Sequence, residues 1–220
     1  KLDDEEVLVP INAARLVDEL LEVHGHEVLI DGCFNADPHP GNILYVDGKL
    51  GLIDYGQVKR METEERLDLA KALLLTEAAM KLDPRTDKAA DPAALERAKR
   101  AIFEQFHTKM RVDTKHNHID THYQMCTVYL GRMDAAWLYP RNILQWTDHM
   151  QEVDPIESIK TIEYMVMVNT STLMLRGLGE MLQQYRSLAT AWKPIAERAL
   201  REAGRLAEVE AEIASWSVQT

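Results

Sequence analysis

Asp37 and Asn42 stand five residues apart, and Asp54 follows twelve residues later. Two carboxylates and an amide are oxygen donors of the kind that a bound Mg²⁺ bridges to phosphates. Phosphoryl transfer asks for little covalent help from a protein. It needs cations held against the phosphates and an acceptor hydroxyl that is placed and polarised. Each piece in isolation is common: D-x-x-x-x-N arises by chance, and Asp54-Tyr55-Gly56 reads as an ordinary turn. Asp37-Pro38 and His39-Pro40 alone indicate only a stiff loop. Their order, and what lies between them, sets them apart from that background.

What lies between is a hairpin. Two β-rich runs, Asn42–Val46 and Lys49–Asp54, flank Asp47-Gly48. Asp-Gly between apolar runs predicts a type I′ turn, whose two central residues both need φ > 0. Antiparallel strands return the chain to its starting level, so Asn42 and Asp54 are expected to converge on one cation site. Upstream, Val17, Leu20, Leu21 and His24 recur at helical spacing, with Gly25 as a stop and residues 27–34 resuming the helix. Downstream, Thr63 is the expected N-cap of a helix running to Leu82, with Arg66 where a capping box has Glu. Asp91 is expected to cap the next helix, with Pro92 at its first position. Amphipathic stretches follow at about 92–111, 120–137, 155–175 and 187–215. The expected fold is mainly α with a small β-hairpin (α+β). Residues 1–60 carry the site, and residues 61–220 form the helical remainder of the same unit.

The 220 residues suffice to bury a real core, and 28% charged with 46% hydrophobic residues is a globular composition. With 36 acidic against 25 basic residues the net charge is −11. Nucleic acid, which needs a basic stripe, is therefore not an expected partner, whereas a nucleotide carried with Mg²⁺ is compatible. Cys33 and Cys126 stand in unrelated contexts, which favours a reducing compartment. The most apolar stretch, Tyr164–Leu178, is interrupted by Asn169, Thr170, Ser171, Thr172 and Arg176, so no bilayer-spanning segment is expected. The chain starts at Lys1 with no signal or transit pattern and is read as a fragment.

The string Phe34-Asn35-Ala36-Asp37-Pro38-His39-Pro40-Gly41-Asn42, followed by Leu52-Ile53-Asp54-Tyr55-Gly56, resembles the UbiB/ADCK atypical kinases. These carry a nearly identical A-D-P-H-P-G-N and then a D-F-G-like triplet. Residues 173–200 are similar to the family's C-terminal helices, so matching features run from near residue 11 to about 200, while 80–150 has no matching motif. The resemblance implies a protein-kinase-like C-lobe using ATP and Mg²⁺. Asp37 becomes the catalytic carboxylate, with Asn42 and Asp54 as the metal ligands that also hold the cofactor. His39 stands where many protein kinases have a lysine near the γ-phosphate, and its role there or in loop packing is open. The family is associated with isoprenoid-quinone biosynthesis and membrane lipids. That implies a peripheral membrane contact and, in a eukaryote, a mitochondrion or plastid.

Two substitutions depart from the family pattern. Asn35 stands where members often have His, a position that braces the loop against the D-F-G backbone; its amide can still hydrogen-bond. Tyr55 replaces the usual Phe and adds a hydroxyl that needs a partner. The Ala-rich nucleotide loop, the ATP-pairing Lys, its Glu partner and K-x-G-Q do not occur upstream of residue 33. This stretch by itself is therefore expected to bind ATP poorly and to be inactive. The helical pattern resumes nine residues after Asp54 and no A-P-E follows, which leaves little of a peptide platform. A small-molecule or lipid-linked acceptor, or plain ATP hydrolysis, fits better. Aminoglycoside and choline kinases share a similar H-x-D-x-x-x-x-N…I-D-F pattern and are one rival; a nucleotide- or lipid-binding pseudokinase is another. Ala36 and the C-terminal similarity favour UbiB/ADCK.

Two histidine clusters and four tryptophans need a reading of their own. His116-x-His118-x-Asp120-x-His122 comes within one residue of the H-x-H-x-D-H hydrolase motif, yet reads as a solvated polar helix start. His24 and His26 suit the negative end of a helix dipole. Trp137, Trp146, Trp192 and Trp216 are read as packing anchors.

Overall fold

A computed structural model describes residues 10–132, 138–158 and 163–217. The described residues are mainly helical with three small antiparallel strand pairs, where the sequence pattern predicts a single hairpin. Helix α1 (Ala13–His26) is capped by the Asn12 side chain, which accepts from the Arg15 N–H at 3.1 Å. It buries Leu16, Val17, Leu20, Leu21 and His24. Gly25 does not stop it. The helix passes through Gly25 into a π-type turn, Glu27–Asp31, that ends at Gly32 with φ 65°. A Cβ on Gly25 would lie 2.6 Å from Ile195 Cδ1 and 2.8 Å from Trp192 Cδ1, so this glycine serves close helix packing, not termination.

Four strands follow: β1 (Cys33–Asn35), β2 (Ile43–Val46), β3 (Lys49–Leu52) and β4 (Val58–Arg60). The β2–β3 hairpin turns at Asp47 (φ 51°) and Gly48 (φ 74°), both positive as a type I′ turn requires. Its strands are shorter than their apolar runs, because Asn42 closes a 3₁₀ turn and Asp54 lies past the end of β3. Outside it, β1 pairs with β4, so residues 33–34 are strand and not a resumed helix.

Helix α2 (Thr63–Lys81) begins one residue earlier than expected, with Glu62 at the N-cap and the Glu65 carboxylate accepting the Glu62 N–H at 2.8 Å. Arg66 instead reaches back to donate to the Ile30 carbonyl, tying α2 to the turn after α1. Leu69, Ala70, Leu73, Leu75 and Ala79 are inaccessible, because α2 is packed from several sides. Its neighbours are α3 (Pro92–Phe103), α4 (Ile119–Tyr129), α7 (Leu188–Glu202) and α8 (Leu206–Ser215). Asp91 caps α3 as expected, accepting from Ala93 N–H at 2.9 Å, with Pro92 at its first position. In the stretch 120–137, α4 ends at Tyr129, and residues 133–137 lie outside the described residues. A separate helix, α5 (Ile143–Val153), then precedes α6 (Glu163–Met181). The helical stretch over 187–215 divides at Gly204, φ 71°, into α7 and α8. One core cluster includes residues of α1, α2 and α7, so residues 1–60 and 61–220 share it.

The third strand pair was not foreseen: β5 (Asp113–Thr114) meets β6 (Ile156–Ser158). Asp154 fixes that junction, accepting from Thr114 Oγ1 at 2.7 Å, His116 N–H at 2.6 Å and His118 N–H at 3.0 Å. Burial opposes its ionisation, but those hydrogen bonds prevail and hold its carboxyl at about 2. Trp146, Trp192 and Trp216 are buried anchors; Trp137 lies outside the described residues.

His24 does not act on the helix dipole. It is 1% exposed, neither ring nitrogen has a hydrogen-bond partner, and burial lowers its pKa to about 4. The nearest carboxylate is Glu27, whose Oε2 lies 3.4 Å from Nδ1. A folded-state pKa below the unfolded value of about 6.5 gives stability that is complete above pH 6.5 and lost as pH falls toward 4. The expected loss is about 3 kcal/mol across that window. Glu27, whose pKa burial raises, works in the opposite sense. Urea unfolding of the parent and of His24→Leu at pH 7 and pH 4 isolates the histidine. The variant should hold the parent's stability at pH 7 and lack this part of the acid loss.

Candidate functional site

The two inner ladders pinch the candidate residues between them. Strand β1 meets β4 with Asn35 opposite Val58, and the next step is Ala36 N–H donating to the Gln57 carbonyl at 2.8 Å. From the other side the hairpin register, Ile43 opposite Leu52, extends one step as Ile53 N–H donates to the Asn42 carbonyl at 3.0 Å. The segments Asp37–Gly41 and Asp54–Gly56 are the two loops left at that junction.

Asn35 joins them. It is 2% exposed, its amide nitrogen donates to the Asp54 carbonyl at 2.5 Å, and its amide oxygen accepts the Asp37 N–H at 2.9 Å. One side chain thus fixes the backbone at both carboxylates. Only one orientation of the amide satisfies both bonds. The bracing expected of the family's histidine is present with asparagine in its place.

Glu27 supports this joint and escaped the reading of the sequence. Its carboxyl is raised by burial, partly offset by a hydrogen bond from the Asn35 N–H, and raised further by Asp31. The one available signal was a glutamate placed directly against the apolar run Val28–Leu29.

Asp37 is half-buried, while His39 and Asp54 are exposed and Asn42 is half-buried. His39 Nδ1 accepts the Gly41 N–H at 3.0 Å, so in the neutral ring the proton sits on Nε2. The His39 carbonyl accepts the Asn42 N–H at 2.8 Å, closing the 3₁₀ turn that sets Asn42. Asp54 Oδ1 accepts the Gly56 N–H at 2.8 Å, which leaves Oδ2 available. Among the described residues no hydrogen bond or ion pair joins the side chains of Asp37, His39, Asn42 and Asp54; the bonds that link their two loops run to backbone atoms. Tyr55 is 55% exposed, and its hydroxyl has no hydrogen-bond partner among the described residues.

Two carboxylates and an amide suit a Mg²⁺ that completes its shell with water and phosphate oxygens, not an all-protein cage. No group of three or more His, Cys, Asp or Glu that could hold a metal ion converges among the described residues, Asp37, His39 and Asp54 included. The His116–His122 cluster offers none either. His116 and His118 are exposed and stack at 5.5 Å, while His122 is buried with both nitrogens at carbonyls, His118 at 3.0 Å and Val112 at 2.9 Å. Those nitrogens are engaged in fixing the start of α4. No helix among the described residues is long and apolar enough to cross a membrane.

The chain resembles two proteins of Synechocystis sp., both described as uncharacterized. One, slr0889, is 51% identical over 49 residues, covering 22% of this chain and 12% of that protein. The other, sll0005, is 35% identical over 65 residues, covering 29% and 10%. The matched stretch thus spans about a tenth of either relative. No solved structure matches the chain. Residues 1–85, which hold Asn35, Asp37, His39, Asn42 and Asp54, match the family model of the ABC1 atypical kinase-like domain, so this part of the chain is similar to that domain.

Proposed function

We propose that the chain forms the C-lobe of a UbiB/ADCK-type atypical kinase, an ATP-dependent phosphotransferase or ATPase that works with a separate nucleotide-clamping N-lobe. The observation that carries this reading is the pair of hydrogen bonds from the Asn35 side chain to the backbones of Asp37 and Asp54, which ties together the two loops that carry the carboxylates. Asn42 and the free Oδ2 of Asp54 would hold Mg²⁺, which when bound neutralises charge on the phosphates. Asp37 would accept the proton of the attacking hydroxyl or water, and its backbone tie to Asn35 limits where its carboxylate can go. His39 Nε2–H, exposed beside it, would donate to a phosphate oxygen. The nine residues from Asp54 to Thr63 favour a small-molecule or lipid-linked acceptor over a peptide. The family resemblance adds a link to isoprenoid-quinone or lipid metabolism, with peripheral membrane contact in a mitochondrion or plastid.

Isothermal titration of Mg·ATP into the natural full-length polypeptide tests the metal assignment. Asp54→Asn is expected to weaken binding by about tenfold or more, with little effect on ATP titrated in EDTA. Equal Mg·ATP affinity in parent and variant removes Asp54 from the site. Metal-dependent binding with no turnover by the parent turns the reading toward a pseudokinase.

A further inference from the structure

A cavity of about 430 Å³ lies between α3, α4 and the loop entering α5, almost wholly outside the kinase-like residues 1–85. That volume falls within the range of small-molecule sites. Five charged side chains line it, and four of them cancel in pairs. Asp83, 4% exposed, takes both Nε (2.8 Å) and Nη2 (2.7 Å) of Arg85 and the Tyr123 hydroxyl (2.8 Å). Lys99 lies 2.8 Å from Asp120 and 2.8 Å from Glu96, with its ammonium 5.7 Å from the centre of the Tyr123 ring. Arg141 alone has no partner for its guanidinium among the described residues. It stands at the mouth beside Tyr139, whose ring is 85% exposed, while Trp146 forms part of the wall and is buried.

We propose that this cavity binds a small aromatic anion, with one carboxylate or phosphate head on Arg141 and its ring against Trp146 and Tyr139. A guanidinium presents paired donors that match either head, and an otherwise unpacked ring at the rim gives a flat ligand a second face. The same lining limits the ligand to one head. Arg85 and Lys99, the other cations of the wall, are already taken by Asp83 and Asp120 and offer a second anionic group no partner. The charges of Asp83 and Asp120 are thereby compensated from within, so they do not draw a cation in its place.

The test follows the Trp146 indole N–H resonance in the ¹⁵N-labelled 220-residue chain, assigned with Trp146→Phe, during titration with phenyl phosphate and with benzoate. A saturable shift at millimolar concentration with either is expected, and the tighter of the two names the head group. Benzyl alcohol and inorganic phosphate, which supply the ring and the anion separately, should each bind about tenfold more weakly or worse. Arg141→Gln, an exposed substitution that leaves the core untouched, should weaken the aromatic anions by about tenfold and leave benzyl alcohol unchanged. No shift with either anion, equal binding of benzyl alcohol or inorganic phosphate, or unchanged affinity in Arg141→Gln would each overturn the proposal.

Discussion

Asp37→Asn is expected to lower ATP turnover by the full-length polypeptide by about a hundredfold to ten-thousandfold, the usual weight of a positioned general base. Mg·ATP affinity should stay within about threefold of the parent, since an interaction made only in the transition state leaves ground-state binding alone. The substitution is nearly isosteric, and Asp37 meets the rest of the site through its backbone N–H, which Asn35 holds in either case. A fall in turnover therefore reports on the carboxylate and not on a displaced loop. The pair Asp54→Asn and Asp37→Asn separates two roles: the first should act on metal-dependent binding, the second on turnover. Comparable turnover in parent and Asp37→Asn would sink the catalytic assignment while leaving the metal assignment to its own titration. Asn35→Ala offers a third pattern. It removes both backbone ties, and both quantities should fall together.

The hairpin between the candidate residues was legible because its geometry is local. Asp47-Gly48 dictates a turn that only positive φ satisfies, and that turn fixes the pairing of β2 with β3 and so the nearness of Asn42 and Asp54. What escaped notice is non-local. Strands β1 and β4 are three residues each, too short for alternation to register, and their partner lies more than twenty residues away in the chain. The same holds for β5 and β6, two and three residues long and joined across more than forty. Gly25 was misread for a related reason. A glycine near a helix end satisfies the rule for a stop, and only the approach of α7 reveals that it is there for lack of a side chain. The Thr63 cap failed by one residue because Glu62 and Glu65 offer a closer match to the capping box than Thr63 and Arg66. His24 shows the limit most directly. Its place on the helix face was plain from spacing, but burial, which sets its charge, depends on elements far away in the chain that pack on α1, such as α7.

Trp192→Ala is expected to cost about 3–5 kcal/mol of unfolding free energy, the range for a large aromatic removed from a core. Trp192 is 1% exposed, and its indole N–H donates to the Leu21 carbonyl at 2.7 Å, so it both fills the α1–α7 contact and pins it. Truncation leaves a void under Gly25 and a buried carbonyl with a lost partner. Gly25→Ala attacks the same contact from the other side. The added methyl would lie 2.6 Å from Ile195 Cδ1 and 2.9 Å from Trp192 Nε1, closer than packed atoms allow, and about 1–3 kcal/mol of destabilisation follows. Ile195 can turn its terminal methyl aside, whereas the indole is fixed by its hydrogen bond, so the indole decides the cost. The two substitutions should therefore not add. In a Trp192→Ala background the methyl enters space already emptied, and Gly25→Ala should become neutral or mildly stabilising, a coupling of about 1–3 kcal/mol by urea-denaturation cycles. Additive losses would mean that Gly25 is kept for its backbone and not for the indole. Because α1 leads through the turn at Glu27–Asp31 into β1, the same cycle carries a second readout. If the α1–α7 contact sets the position of Asn35, Mg·ATP affinity in the folded variants should fall with Gly25→Ala and recover in the double substitution.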